Sequence, residues 1–145
     1  MAYILDAEQV VKTYALGKGN ACYALKDVSL QIEEGEFVCV MGASGSGKST
    51  LLYNVSGMDR ADSGSVAFDG HLIESLSERG LARLRLTRMG FVFQQGHLLR
   101  NLSIFDNIVV AAYLSGGGAN RARIDGGAAE LMGEKGIGHL RGHAI

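Results

Sequence analysis

Proline is absent from this 145-residue sequence, cysteine occurs only twice, and neither sign of charge dominates. Without proline, the turns fall to 21 glycines and to Asn and Asp. Lys and Arg number 14 against 15 Asp and Glu, a formal net charge of −1. That balance argues against non-specific nucleic-acid binding, which relies on surplus basic residues to displace counterions, so no nucleic-acid partner is expected. Cys22 and Cys39 form no CxxC pair and have no metal-ligand spacing. Cys39 lies in an apolar run and reads as a buried, reduced thiol. No apolar stretch approaches the length of a bilayer span; Ile108 to Leu114 is among the longest. The start, Met1 to Asp6, lacks a basic region followed by an apolar one, so no secretory leader is expected. These absences point to a soluble cytosolic chain, in which the sequons at Asn54 and Asn101 carry no meaning. What is present, 47% hydrophobic residues, is one domain's worth of sequence with enough apolar surface for a core.

Polar and apolar residues alternate over Gln9 to Tyr14 and Leu25 to Ile32, which predicts half-exposed antiparallel strands with a loop at Gly17, Gly19 and Asn20. After the polar turn Glu33 to Glu36, Phe37-Val38-Cys39-Val40-Met41 is apolar at every position, the pattern of a strand buried on both faces. Lys48 to Met58 reads as a helix with Leu51, Leu52 and Val55 on one face. Ser65 to Phe68 reads as a short strand turned at Asp69-Gly70, and Ser77 to Met89 as an arginine-rich helix. Gly90 to Phe93 reads as a second buried strand, and Asn101 to Leu114 as a helix capped by Ser103 with Asp106 in its first turn. From Gly116 onward glycines interrupt a weak helical pattern around Ala128 to Met132, so the tail is expected to be partly helical and loosely held.

Gly42-Ala43-Ser44-Gly45-Ser46-Gly47-Lys48-Ser49 fits the phosphate-loop pattern G-x-x-x-x-G-K-[ST] at every fixed position. A strand ending at Met41 must wrap a phosphate before a helix begins. Gly42, Gly45 and Gly47 permit the tight backbone, so that N–H groups from Ser44 through Ser46 to Thr50 can point inward. The helix starting near Lys48 directs its positive end at the same place. Lys48 adds a full charge near the β- and γ-phosphates, the Ser49 hydroxyl is the expected magnesium ligand, and Thr50 reaches the α-phosphate. The implied ligands are ATP and Mg2+.

From this loop outward the sequence resembles the ATP-binding subunit of ABC transporters, over about Ile4 to Leu140. Tyr14 sits where that family keeps an aromatic that stacks on adenine. Tyr23 to Leu30 resembles the strand leading to the nucleotide, and Leu51-Leu52, Gly57-Met58-Asp59, Ser63 to Val66 and Asp69-Gly70 resemble the helix and hairpin after the loop. Gly90-Phe91-Val92-Phe93-Gln94-Gln95 resembles the Q-loop, whose glutamine, Gln94 here, reaches the magnesium and the attacking water; the resemblance thus makes Ser49 and Gln94 the metal-contacting pair. Leu98-Leu99, Asn101 to Ser103 and Asn107-Ile108 continue the pattern, in the flavour of the branch serving peptide export, macrolide efflux and lipoprotein release. Ala43 stands where the family commonly has proline.

The resemblance implies an incomplete α/β P-loop NTPase fold, with an antiparallel β subdomain and the start of a helical subdomain. It implies one partial domain, residues 1–95 carrying the β subdomain and loop core and 96–145 a partial helical subdomain. A membrane permease and a second nucleotide-binding domain are the implied partners, at the inner face of the cell membrane. The family's signature helix, its Walker B strand ending in Asp-Glu and its switch histidine are not identifiable; no four-residue apolar run is followed by Asp-Glu. Leu114-Ser115-Gly116-Gly117-Gly118 comes too soon after Gln94 and lacks the final glutamine of the signature, so it reads as a linker. The chain therefore resembles the front portion of such a domain, expected to bind nucleotide and to hydrolyse it poorly or not at all. The alternatives are a nucleotide-binding remnant without turnover, or a soluble ABC-type ATPase outside transport. Arg79, Arg83, Arg85 and Arg88 read as a solvated helix face. His139 and His143 share helical spacing without a third ligand, and His71 and His97 read as surface loop residues.

Overall fold

The computed structural model describes residues 3–17, 20–114 and 121–143. The chain packs as two units, Met1–Arg85 and Leu86–Ile145. In the first, β1 (Tyr3–Gly17) and β2 (Asn20–Glu33) form a long antiparallel hairpin, to which β3 (Ser63–Phe68) and β4 (His71–Leu72) add in the order β2-β1-β3-β4. The expected turn at Asp69-Gly70 joins β3 to β4, and both residues take positive φ, 48° and 75°. Helices α1 (Lys48–Val55) and α2 (Glu78–Arg88) complete the unit. Its core is Leu5, Ala7, Val10, Leu25, Leu51, Val66, Ile73, Leu81 and Leu84. His71, expected in a loop, is an exposed residue of β4.

One irregularity in β1 decides which side chains face that core. Leu5 and Ala7 are buried, but beyond Gln9 the phase changes and Val10 and Lys12 are buried instead. The cause is a bulge. Ala7 pairs with Leu30 and Val10 with Val28, so β1 carries one residue more than β2 across the step. Gln9 takes φ 49°, and its N–H donates to the Ser29 hydroxyl at 3.0 Å. A one-residue slip sends every later side chain to the opposite face.

The second unit contains α3 (Ile104–Leu114) and α4 (Arg121–Glu134). Phe105 and Val109 pack on Ala128 and Met132, flanked by Ile104, Ile108, Ile124 and Ile137. Ser103 caps α3 as its sequence predicts, its hydroxyl accepting the Asp106 N–H at 3.1 Å. The tail returns to the same end: the carbonyls of His143 and Arg141 accept the N–H groups of Ile104 and Phe105 at 3.0 and 3.3 Å. The Arg141 guanidinium lies 4.0 Å from the Phe105 ring centre. Helix α4 runs 14 residues despite Gly126, Gly127 and Gly133, longer than the pattern suggested, because Ala128 and Met132 are buried. Residues 115–120, the expected linker, lie outside the described residues. Among the described residues no helix is long and apolar enough to cross a membrane.

The two segments that read as buried strands are neither buried nor strands. Residues 36–43 and 89–93 have no regular secondary structure and no sheet partner among the described residues; Phe37 is 95% exposed, Met41 85%, and Val92 fully. Cys39 is exposed as well. The all-apolar pattern states what these segments would bury, but a two-sided strand needs neighbours on both edges and layers on both faces. Among the described residues neither segment has such a sheet neighbour. Two such stretches on an isolated chain favour self-association. Phe37→Ser combined with Val92→Ser should move the mass seen by light scattering toward that of a monomer. A wild-type chain already monomeric at the same concentration would contradict this.

In the arginine-rich helix Arg79, Arg83 and Arg88 are exposed as expected, and Arg85 alone is half-buried. Arg85 donates from Nη1 to the Gly57 carbonyl at 2.6 Å, pinning α2 to the turn that closes α1.

Candidate phosphate-binding site

The glycine loop, residues 42–47, enters α1 through backbone conformations that few other residues adopt. Gly45 has φ 77° and Gly47, the residue preceding α1, has φ 93°. A Cβ on Gly47 would lie 2.4 Å from the Ala24 carbonyl oxygen, so the loop is seated directly against the backbone of β2. The Ser46 N–H donates to the Ala43 carbonyl at 3.2 Å, and the first bond of α1 runs from the Leu51 N–H to the Gly47 carbonyl at 2.8 Å. The N–H groups of Lys48, Ser49 and Thr50 therefore have no acceptor inside the helix and lie at its positive end. Lys48 bends back over the loop, its ammonium donating to the carbonyls of Gly42 and Ala43 at 2.9 and 2.7 Å. Ser44 and Ser49 are exposed and Thr50 half-buried, so their hydroxyls are accessible at the loop. A compact cation, a turn of free amides and three hydroxyls are a donor set suited to an anion as large as a polyphosphate. Ser49 supplies a neutral oxygen of the kind Mg2+ accepts beside phosphate oxygens.

Tyr14 lies in the same unit, and the phase change at Gln9 brings it to the side of Val10 and Lys12. Its hydroxyl donates to Asp59 Oδ2 at 2.8 Å and also meets the Thr50 hydroxyl, so the sequence-predicted aromatic and the last residue of the loop come together. The Asp59 bond raises the Tyr14 phenol above its ordinary value, burial adds to this, and Thr50 opposes it. Buried Lys12 donates to Asp59 Oδ1 at 2.7 Å and to the Arg60 carbonyl at 2.6 Å. The Asp59 bond holds the Lys12 ammonium above its usual range against the opposing effect of burial. Burial would raise the Asp59 carboxyl, but the bonds from Lys12 and Tyr14 outweigh it and hold the group below the usual carboxylate range. Asp62 accepts from both the Thr13 N–H and hydroxyl at 2.6 Å, and these bonds lower its carboxyl too.

The sequence carries no sign of this carboxylate network. Asp59 stands out there only as part of a family-like stretch, and a lysine in an alternating strand gives no sign that it will be buried. Gln94 lies in the second unit, exposed, at a bend after Phe93. The Phe93 ring stacks on Phe91 at 5.9 Å and meets His97 edge-on at 5.0 Å. Ser49 and Gln94 thus belong to different units. Among the described residues no three His, Cys, Asp or Glu side chains group as a metal cage.

Comparison with known proteins gives a consistent result. The family described as "ABC transporter" matches residues 25–145. The lipoprotein-releasing system ATP-binding protein LolD 2 of Chlorobium chlorochromatii is 36% identical over 145 residues, covering 97% of this chain and 59% of that protein. The macrolide export ATP-binding/permease protein MacB of Chlorobium luteolum is 45% identical over 113 residues, 78% of this chain and 17% of that protein. A solved bacterial ABC transporter cassette, MJ0796, described as dimeric and in another structure as bound to ADP and Pi, superimposes with a TM-score of 0.88 at 34% identity. That match covers 97% of this chain and 61% of the cassette. The chain thus spans about three-fifths of the length of its lipoprotein-releasing and cassette relatives.

Proposed function

Because this chain belongs to the ABC transporter family, we propose that it binds magnesium-ATP through the glycine loop, as part of an ATPase subunit that powers export across a membrane. The observation that carries the reading is the loop itself. Left-handed glycines seat it on β2, three amides of α1 are free for an anion, and one lysine stands over the turn. In this reading the amides of Ser44 to Thr50 hold the β-phosphate, and Lys48 exchanges the Gly42 and Ala43 carbonyls for phosphate oxygens. Thr50 approaches the α-phosphate, and the Tyr14 ring stacks on adenine. Ser49 would be the loop's protein ligand for Mg2+, which would supply charge neutralisation at the phosphates, and the resemblance gives Gln94 the family's role toward the metal and the attacking water.

Transport comes from the relatives rather than the site. Their printed names speak of lipoprotein release and macrolide export, which supports a membrane permease and a second nucleotide-binding domain as partners, and a place at the cytoplasmic face of the membrane. Phosphoryl transfer to water needs a base and a full metal shell in position together. No apolar run of the sequence leads into Asp-Glu. We therefore expect the chain by itself to bind without efficient turnover.

Titration of the purified chain with a fluorescent ATP analogue and Mg2+, with phosphate release followed in the same samples, tests both parts. Saturable binding without sustained release is the expected result. Absence of saturable binding would remove the loop assignment. Sustained release that Lys48→Ala abolishes would place a catalytic carboxylate within this chain and overturn the expectation of binding alone.

A further inference from the structure

The proposed ATP reading gives Tyr14 a ring to stack but does not say what orients it; we propose that Asp59 is the positioning residue that ties the Tyr14 ring to the phosphate-binding helix. The proposal rests on that reading.

Both oxygens of Asp59 are committed to β1. Oδ1 accepts Lys12 at 2.7 Å and Oδ2 accepts the Tyr14 hydroxyl at 2.8 Å, from residues two apart on one face of the strand. The backbone of Asp59 is fixed to α1, since its N–H and that of Met58 both donate to the Tyr53 carbonyl, at 3.1 and 2.9 Å. A short path therefore runs from the helix that follows the glycine loop, through Tyr53 and Asp59, to the phenol oxygen. Arg60 and Asp62 strengthen the strap, the first by its carbonyl to Lys12 and the second by its two bonds to Thr13. A tyrosine has two side-chain torsions, and anchoring the hydroxyl at one end with Cα at the other fixes the first of them, and with it the place of the ring, while the second turns the ring about its own axis. Tyr14 is 40% exposed, and the Lys12 ammonium stands 5.5 Å from the centre of its ring. The tether holds the stacking surface at a set distance from the phosphate loop, as a nucleotide of fixed length requires.

Phenylalanine separates this role from simple stacking. Tyr14→Phe keeps the ring and removes the hydroxyl with its contacts to Asp59 and Thr50, so a ring that stacks without guidance should bind ATP unchanged. The measurement is calorimetric titration of the full chain with Mg-ATP and with magnesium tripolyphosphate, which has the phosphates and no base. It is made for the wild type, Tyr14→Phe, Asp59→Ala and the double variant. Tyr14→Phe should weaken ATP about three- to tenfold, the scale of one net hydrogen bond, with tripolyphosphate unaffected. Asp59→Ala should cause a similar selective loss, and the double variant no further loss. Should Asp59→Ala fail to fold, because Lys12 loses its partner, Tyr14→Phe still decides the question. Wild-type affinity for ATP in Tyr14→Phe would overturn the tether. Equal losses of ATP and tripolyphosphate in Asp59→Ala, with Tyr14→Phe neutral, would reduce Asp59 to a partner for Lys12 and overturn it as well. A wild-type chain that binds neither ligand would remove the ATP reading and the inference with it. A wild-type chain that binds both equally would overturn the inference alone.

Discussion

Lys48→Ala is expected to weaken magnesium-ATP binding by about thirtyfold or more, the scale for removing one partner of a desolvated charge pair. The ammonium stands over the turn that would hold phosphate, donating to two carbonyls of the loop, Gly42 and Ala43. Alanine removes the positive charge and the brace together. Nothing in the core changes, so thermal unfolding without ligand should shift little, by about 0.5 kcal/mol at most. A loss of binding with an unchanged melting curve therefore reports on the site. Lys48→Arg should recover only part of the affinity, because a planar guanidinium cannot enter the same turn as a compact ammonium. Unchanged affinity in Lys48→Ala would remove the glycine loop from the binding site altogether.

The second large effect is expected at Gly47, and Gly45 serves as its control. Both residues have positive φ, 93° and 77°, so alanine at either bears the strain of a left-handed conformation, about 1–2 kcal/mol. They differ in what surrounds them. A Cβ at Gly45 meets nothing within 4 Å, whereas one at Gly47 would lie 2.4 Å from the Ala24 carbonyl oxygen. That oxygen belongs to β2 and cannot swing aside as a side chain would. Gly47→Ala should therefore cost about 3 kcal/mol or more and abolish ATP binding, because α1 can start only if the loop lifts off the sheet. Gly45→Ala should remain folded with a lower melting temperature. Denaturant titrations of the two variants compare them directly; equal losses would mean that conformation alone, and not contact with β2, makes Gly47 necessary.

The features legible in the sequence are those decided within a few residues. The glycine loop could be read because amide geometry, lysine reach and helix start all lie between Gly42 and Thr50. The Asp69-Gly70 turn and the Ser103 cap of α3 are similarly local. The hairpin of β1 and β2 followed from alternation on either side of a glycine loop. The two apolar runs, Phe37 to Met41 and Gly90 to Phe93, read as buried strands and are neither, because an apolar pattern does not say whether neighbours stand beside it, and Phe37 and Val92 are exposed.

Taken by itself, then, the sequence determined the phosphate-loop pattern, the antiparallel hairpin and the family resemblance, since each is written in short spacings. Only the tertiary structure decided how Tyr14 is held. Straight alternation from Leu5 and Ala7 would have turned Lys12 and Tyr14 outward. The single extra residue at the Gln9 bulge reverses the phase, buries Lys12 and delivers the Tyr14 hydroxyl to Asp59, 45 residues away. No local preference encodes such a contact. It exists because β3 and α1 fold the intervening chain back onto β1, where one carboxylate can meet an ammonium and a phenol at once.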